Sequence, residues 1–306
     1  MKVMDLLENR EFIRNIEVII SRKEKANVSI KFDVNQKSEL NHVYFFYSIK
    51  RNKVNKEYCI KFYTDDNNII QHKNEVDFLE KNSFSENFNF LPLLIYQQYF
   101  NNIPFIILEK LPGENLTKII DSLSVEKIIE VYFYIFKKLR TLNFHQIKSL
   151  YAEKMPMQKV LNVKLLLLKR KLNPIYFEYY NFLDKNITNI NCCTYSIVHH
   201  DISPNNIVIN EKNIYLIDWT SFSVLDPRYD FVDAYLKYVY LINKESNYIF
   251  LDKLSKMLNI SELDFKFFSI LNLLEKIVEY KDYNFTNLTK KRWFEYLISS
   301  LEQYKN

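Results

Sequence analysis

The apolar positions of this chain run first with the alternation of strands and later with the spacing of helices. Residues 4–25 read as a charged amphipathic helix. Three strand-like runs follow at 28–32, 42–50 and 57–64, separated by the polar turns NQKSE and RNKVNK, the pattern of an antiparallel meander. A polar turn at 65–68 can start a helix, and 69–81 continues it with Ile70, Val76 and Leu79 at helical spacing. Two more strands, at 91–96 and 104–109, lead to Leu111-Pro112-Gly113. Beyond Gly113 the pattern changes. Ser124 can cap a helix over 125–144, whose apolar positions are Ile128, Val131, Ile135, Leu139 and Leu142. Helical runs at 161–172 and 175–183 are broken at Asn173-Pro174. Short apolar strands at 196–198 and 206–209 flank a polar loop, 214–217 is a third, and the chain from 228 onward is mostly helical. Strands first and helices after predict an α+β chain of two lobes, with a small antiparallel sheet in the first and helices in the larger second.

Composition changes this picture in one respect. Hydrophobic residues at 48% and charged residues at 26% over 306 positions are ordinary for a globular chain. A net charge of +5, with Lys and Arg scattered among Asp and Glu, forms no polybasic patch, so neither nucleic acid nor a membrane surface is expected as a partner. Three cysteines offer no disulfide framework, and adjacent Cys192 and Cys193 lack zinc-site spacing. The early charges of MKVMDLLENREF do not fit a signal peptide, and no apolar stretch approaches the roughly 18 residues of a membrane span, so a reduced, cytoplasmic setting is expected. The unusual number is one glycine in the whole chain. Asn, Lys, Ile, Tyr and Phe abound, which points to AT-rich codons, and motifs that normally carry Gly will carry something else here.

The densest polar cluster lies between two apolar runs, at Val198-His199-His200-Asp201-Ile202-Ser203-Pro204-Asn205-Asn206-Ile207-Val208. Asp201 and Asn206 are five apart on a loop clamped by buried strands, and Asp218 ends the apolar run Tyr215-Leu216-Ile217. Phosphoryl transfer needs these groups: one carboxylate to accept the proton of an attacking hydroxyl, then an amide oxygen and a second carboxylate to hold Mg²⁺. Upstream, Lys61 sits in a strand beside Ile60 and Phe62, where an ammonium is costly unless it meets an anion. ATP phosphates and Glu75, in the next helix, are such anions. Glu109-Lys110-Leu111 ends a strand at the lobe change, where backbone groups can bind adenine.

These segments resemble the aminoglycoside phosphotransferase and choline kinase-like family of protein-kinase-like fold. HHDISPNNIV is similar to the family's HGDxxPxNIL, IDWTSFSVLDPRYDFVDAY to its IDWxxAxxGDPxxDLA, and FIILEKLPGENL to its hinge and linker. The resemblance implies an ATP- and Mg²⁺-dependent kinase of small molecules bearing a hydroxyl, with a nucleotide-binding lobe over 1–110, a hinge at 109–112 and a catalytic and acceptor-binding lobe over 113–306. It implies Asp201 as base, Asn206 and Asp218 on magnesium, Lys61 on the α and β phosphates and Glu75 as its partner. His199 would brace the loop, His145 would pack in the core, and Asp230 would fix the loop after the metal site.

The chain departs from the family pattern where glycine is expected. NQKSELNHVYFF resembles the family's GGLSNRVYRV but keeps no glycine; Ser38 and Asn41 can bind phosphate there through their side chains, while Glu39 would repel it unless turned outward. His200 replaces a usual Gly, and Thr220 stands where many members carry an acid. Cys59 shares the strand face of Lys61, which puts it against the adenine ring. The absent glycines also raise a second reading, an inactive nucleotide-binding pseudokinase. A third, a protein kinase, has only seven residues between Asp218 and Asp226-Pro227 for an activation segment. The acceptor would lie against helices at about 149–190 and 228–306. A quaternary ammonium would call for an aromatic cage, for which Tyr176, Phe177, Tyr179, Tyr180, Tyr235 and Tyr238 are available.

Overall fold

A computed structural model describes residues 3–38, 43–51, 53–64, 68–82, 90–142, 157–190, 195–241, 244–280 and 288–305. The chain divides into two compact units. Unit 1 is Met1–Glu114 with Val208–Ser221, and unit 2 is Asn115–Ile207 with Phe222–Asn306. The division is not one cut in sequence, because a short segment after the polar loop belongs with the first unit.

Unit 1 opens with α1 (Val3–Leu7) and α2 (Arg10–Glu24), two helices where the apolar spacing suggests one. Asn9 separates them and caps α2, accepting the Phe12 N–H at 3.0 Å. Five antiparallel strands follow: β1 (Ser29–Ser38), β2 (Val43–Lys50), β3 (Lys53–Phe62), β4 (Leu94–Phe100) and β5 (Ile103–Glu109), ordered β1-β2-β3-β5-β4. Alternation along the strands sorts the two faces. Tyr44, Phe46, Tyr58, Ile60, Phe62, Phe105 and Ile107 form one core with Phe12, Ile16 and Ile20 of α2. The Phe12 ring meets Phe100 and Phe105 edge-on at 5.0 and 5.5 Å. Cys59 and Lys61 point to the opposite face, Cys59 paired with Phe45 and Leu108, Lys61 with Val43 and Ile106. On this unit α3 (Asn68–Asn82) packs against β5 and β4.

A two-residue strand, β6 (Glu114–Asn115), and a helical turn, α4 (Leu116–Ile119), come next in the chain. In unit 2, α5 (Val125–Thr141) is capped by Ser124, and α6 (Met157–Lys171) starts four residues before the expected run. A 3-10 turn at Pro174–Tyr176 leads into α7 (Phe177–Asn186). β7 (Ser196–Val198) is followed by the polar loop, and then β8 (Ile207–Ile209) and β9 (Ile214–Leu216) belong, from Val208, to unit 1. β10 (Ser223–Leu225) was not legible as a strand; it pairs antiparallel with β7, Ser223 opposite Val198. The helices α8 (Arg228–Leu241), α9 (Lys244–Leu258), α10 (Glu262–Tyr280) and α11 (Leu288–Glu302) complete unit 2. α10 is buried nearly all round between Phe267 and Ile277, as the central helix of such a core must be, and α8, α11, α7 and α6 pack on it. No described helix is long and apolar enough to cross a membrane.

Scarcity of glycine is visible in the backbone. Lys25, Arg51, Asn101, Asn102, His200, Asp218 and Asn259 take positive φ, where a side chain is strained. Gly113, at φ +119°, is different: a Cβ there would lie 2.2 Å from the Ile209 carbonyl oxygen, so no other residue fits.

Candidate active site

In unit 1 the site is built around Lys61. β3 carries its side chain off the hydrophobic face, and α3 and the segment after β9 supply its partners. Lys61 Nζ lies 2.6 Å from Glu75 Oε2 and 2.8 Å from Asp218 Oδ1. The residue is 7% exposed. Burial is the largest influence on this ammonium and works against its charge, but Asp218 and Glu75 together hold its pKa above the ordinary lysine range. Glu75 is held in turn by the Tyr63 hydroxyl at 2.6 Å and the Trp219 N–H at 3.1 Å. Trp219 is wholly buried, stacks on Phe78 at 4.0 Å and donates its indole N–H to the Leu216 carbonyl.

Asp218 itself sits at φ +68°, a strained backbone of the kind held at functional sites. Thr220 donates its hydroxyl to Asp218 Oδ1 at 2.9 Å, so the residue that replaces an acid braces this carboxylate. Glu109 spends its N–H on the Leu93 carbonyl and Lys110 on Glu57, while Leu111 N–H meets no backbone acceptor among the described residues. Cys59 is half-buried on the Lys61 face, and burial pushes its thiol up to about 12, so little thiolate exists near neutrality. Ser38 ends β1 opposite Val43. Asn41, Glu39, His145, Cys192 and Cys193 lie outside the described residues.

In unit 2 the loop after β7 is pinned by Asp230 from the first turn of α8. Its carboxylate accepts the His199 N–H at 2.7 Å and the His200 N–H at 2.8 Å. Asp230 thus holds the loop that carries Asp201, rather than the loop after Asp218 as the resemblance implied. Burial drives its pKa up to about 7, against the pull of those two donors. His200 has φ +68°, a left-handed backbone that glycine takes without strain, which suits the glycine of the pattern this loop resembles. The histidine is kept by Nε2 at 2.5 Å from Ser223 Oγ and by its ring against Tyr229. Burial lowers its pKa to about 3, with Lys164 adding to the effect. His199 is fully buried, and its Nδ1 accepts the Asp201 N–H at 3.2 Å, which is a bracing contact.

Asn206 donates its side-chain N–H to the Asp201 carbonyl at 3.0 Å, which turns its other amide atom, Oδ1, away from that bond. The Asp201 side chain is 47% exposed, and its Oδ1 accepts a hydrogen bond from Lys237 on α8. Burial alone would raise the Asp201 pKa; Lys237, aided by Lys276 and His199, brings it below the usual carboxylate range. Sequence reasoning missed Lys237. Its signal was there, an Asp233-Lys237 pair one helical turn apart in the otherwise apolar run FVDAYLKYVYL. Of the aromatic candidates, Tyr238 is core, stacked on Phe250 at 4.0 Å, and Tyr179 and Tyr180 are buried.

The profile of the Phosphotransferase enzyme family matches residues 49–246, a stretch that includes Lys61, Glu75, Asp201, Asn206 and Asp218. This chain belongs to that family. No curated protein matches this family member in sequence. In structure the phosphotransferase resembles a thermostable mutant of aminoglycoside phosphotransferase APH(4)-Ia, with TM-score 0.66 and 11% identity over 94% of this chain and 97% of that one. It resembles APH(2")-IIa in its gentamicin complex at TM-score 0.57 and 16% identity, covering 96% of each. Choline kinase from Cryptosporidium parvum gives TM-score 0.53 and 16% identity over 95% and 96%. The phosphotransferase therefore has the two-lobed α+β fold of protein-kinase-like enzymes.

Proposed function

We propose that this phosphotransferase moves the γ-phosphoryl group of ATP, or of another nucleoside triphosphate, to a hydroxyl of a small molecule in a Mg²⁺-dependent reaction. Candidate acceptors are an aminoglycoside-like antibiotic, a choline-like amino alcohol or a sugar-type metabolite. The observation that carries the reading is Lys61, a buried ammonium joined to both Glu75 and Asp218 although Asp218 is 157 residues away in the chain. Unit 1 would hold the nucleotide, and unit 2 would activate the acceptor. Related structures named as complexes with ADP and hygromycin B, and with AMP-PNP and hygromycin B, lend support to a nucleotide and a hydroxyl-bearing acceptor.

The donors suit magnesium, which prefers oxygen ligands and takes few from protein when phosphates supply the rest. Asp218 offers a carboxylate and Asn206 an amide oxygen. Among the described residues no cluster of three or more His, Cys, Asp or Glu stands ready for a metal. Magnesium bound with the nucleotide supplies neutralisation of charge on the phosphates. Lys61 contacts the α and β phosphates, and Glu75 holds the ammonium in place. Asp201 accepts the proton of the acceptor hydroxyl. Cys59 lines the adenine, Glu109 and Leu111 offer it backbone groups, and Ser38 and Asn41 bind phosphate in place of the missing glycines.

The test is a transfer screen with γ-labelled ATP and Mg²⁺ against hydroxyl-bearing antibiotics, amino alcohols and sugars, with Asp201→Ala as control. Label should move to at least one acceptor with the wild type and not with the variant. Asp218→Asn should weaken nucleotide binding in magnesium more than without it, by calorimetry. Transfer unaffected by Asp201→Ala would sink the assignment.

A further inference from the structure

Lys237 was absent from the chemistry expected of this family pattern, yet it makes the most direct contact with the proposed base. Its ammonium bonds Asp201 Oδ1 and lies 2.6 Å from Asp233 Oδ2, while its side chain is 12% exposed. Asp233 is wholly buried, and Lys276 of α10 lies 2.9 Å from its other oxygen, an ion pair without hydrogen-bond geometry. The cation is therefore fixed from behind by a buried frame of α8 and α10. A helix pair between Asp233 and Lys237 would need nothing from the loop; the second bond, to Asp201, is what calls for explanation.

We propose that Lys237 is a positioning residue for phosphoryl transfer, holding the Asp201 carboxylate in one rotamer so that its second oxygen meets the acceptor hydroxyl. The inference rests on the phosphotransferase reading above. The terminal torsion of an aspartate is broad and nearly two-fold, and a carboxylate 47% exposed on a loop has little else to stop it turning. An ammonium has three donors. Two are used here, one on the frame and one on Asp201, so the frame's rigidity passes to the carboxylate. Misplacing a reacting group by about 1 Å can cost on the order of 10²-fold in rate. Lys237 does not touch the acceptor; its effect passes through Asp201.

The experiment is hydrolysis of γ-labelled ATP by water with Mg²⁺ and enzyme in excess, for wild type, Lys237→Met, Lys237→Gln, Lys237→Arg, Asp201→Ala and Lys253→Met. Lys253 pairs with Glu126 on the surface and serves as a control. Lys237→Met should lower the maximal rate about 10- to 100-fold, leave the half-saturating enzyme concentration within about twofold, and Lys237→Arg should recover most of the loss. The neutral Lys237→Gln should show the same rate loss without recovery, whether or not the Met variant folds. A maximal rate within about threefold of wild type in the Gln variant, with Asp201→Ala impaired, overturns the inference alone. A rate loss that only follows the thermal midpoint, with no recovery in Arg, overturns it as well. Wild-type rates in Asp201→Ala remove the phosphotransferase roles together with it.

Discussion

Each unit holds a lysine that joins two carboxylates, buried at Lys61 and 12% exposed in its side chain at Lys237, and the two differ in what their carboxylates face. Lys61 of unit 1 joins the buried Glu75 and Asp218, whose side chain is 17% exposed. Lys237 of unit 2 joins the buried Asp233 to the half-exposed Asp201. Both ammonium groups are held above the lysine range because two nearby carboxylates outweigh burial. In unit 1 two carboxylates hold the cation charged against its burial, as the proposed phosphate contact would require. In unit 2 one carboxylate faces outward, so the cation acts as a tether. The same three-charge arrangement would thus keep a cation charged in one place and aim an anion in the other.

The comparison can be broken most severely at the outward carboxylate. Asp201→Ala should cut phosphoryl transfer by about 10²–10⁴-fold and leave nucleotide affinity intact, read by initial rates and calorimetry. The inward pair should respond in stability instead. Lys61→Met strands Glu75 and Asp218 and should cost about 3–5 kcal/mol in urea unfolding, whereas the exposed Lys253→Met should cost under about 1 kcal/mol. Equal losses in the two would mean that burial does not set the strength of these pairs.

Backbone geometry sharpens the contrast with smaller effects. Both units have positive-φ residues that carry side chains, whereas at Gly113 the Ile209 carbonyl lies in the way of one. Gly113→Ala should destabilise by about 1–3 kcal/mol in denaturant titration. His200 should report through pH. Its folded pKa, about 3, lies below the ordinary 6.5, so the unfolded chain binds more protons between those values. Stability from His200 is then full above pH 6.5 and lost as pH falls toward 3. Between pH 7 and 5 the wild type should lose about 1–2 kcal/mol more than His200→Asn, a residue that tolerates the left-handed backbone. Parallel losses would show that the imidazole titrates alike in both states.

Much of this was legible because it is local. Alternation marked the meander and Lys61 within it, Ser124 marked the start of α5, and HHDISPNNIV stood out as a polar loop between apolar runs. What escaped was set by partners distant in the chain. Strand β10 is three residues long and exists through pairing with β7. Asp230 was expected to fix the loop after the proposed metal site, because only folding brings it to the N–H groups of His199 and His200.

The order of residues by itself determined the strand and helix periods, the site residue types and their spacing, since side-chain alternation and hydrogen-bonding chemistry belong to each residue and its neighbours. Tertiary structure alone decided which lysine meets which carboxylate. Lys237 is one helix turn from Asp233 in any helix, but its bond to Asp201 depends on how α8 packs against the loop, with Asp230 pinning it. Likewise His200 stands where glycine is usual because Ser223 and Tyr229 come to meet its ring. Such contacts depend on packing between segments far apart in the chain, whose energies no local pattern records.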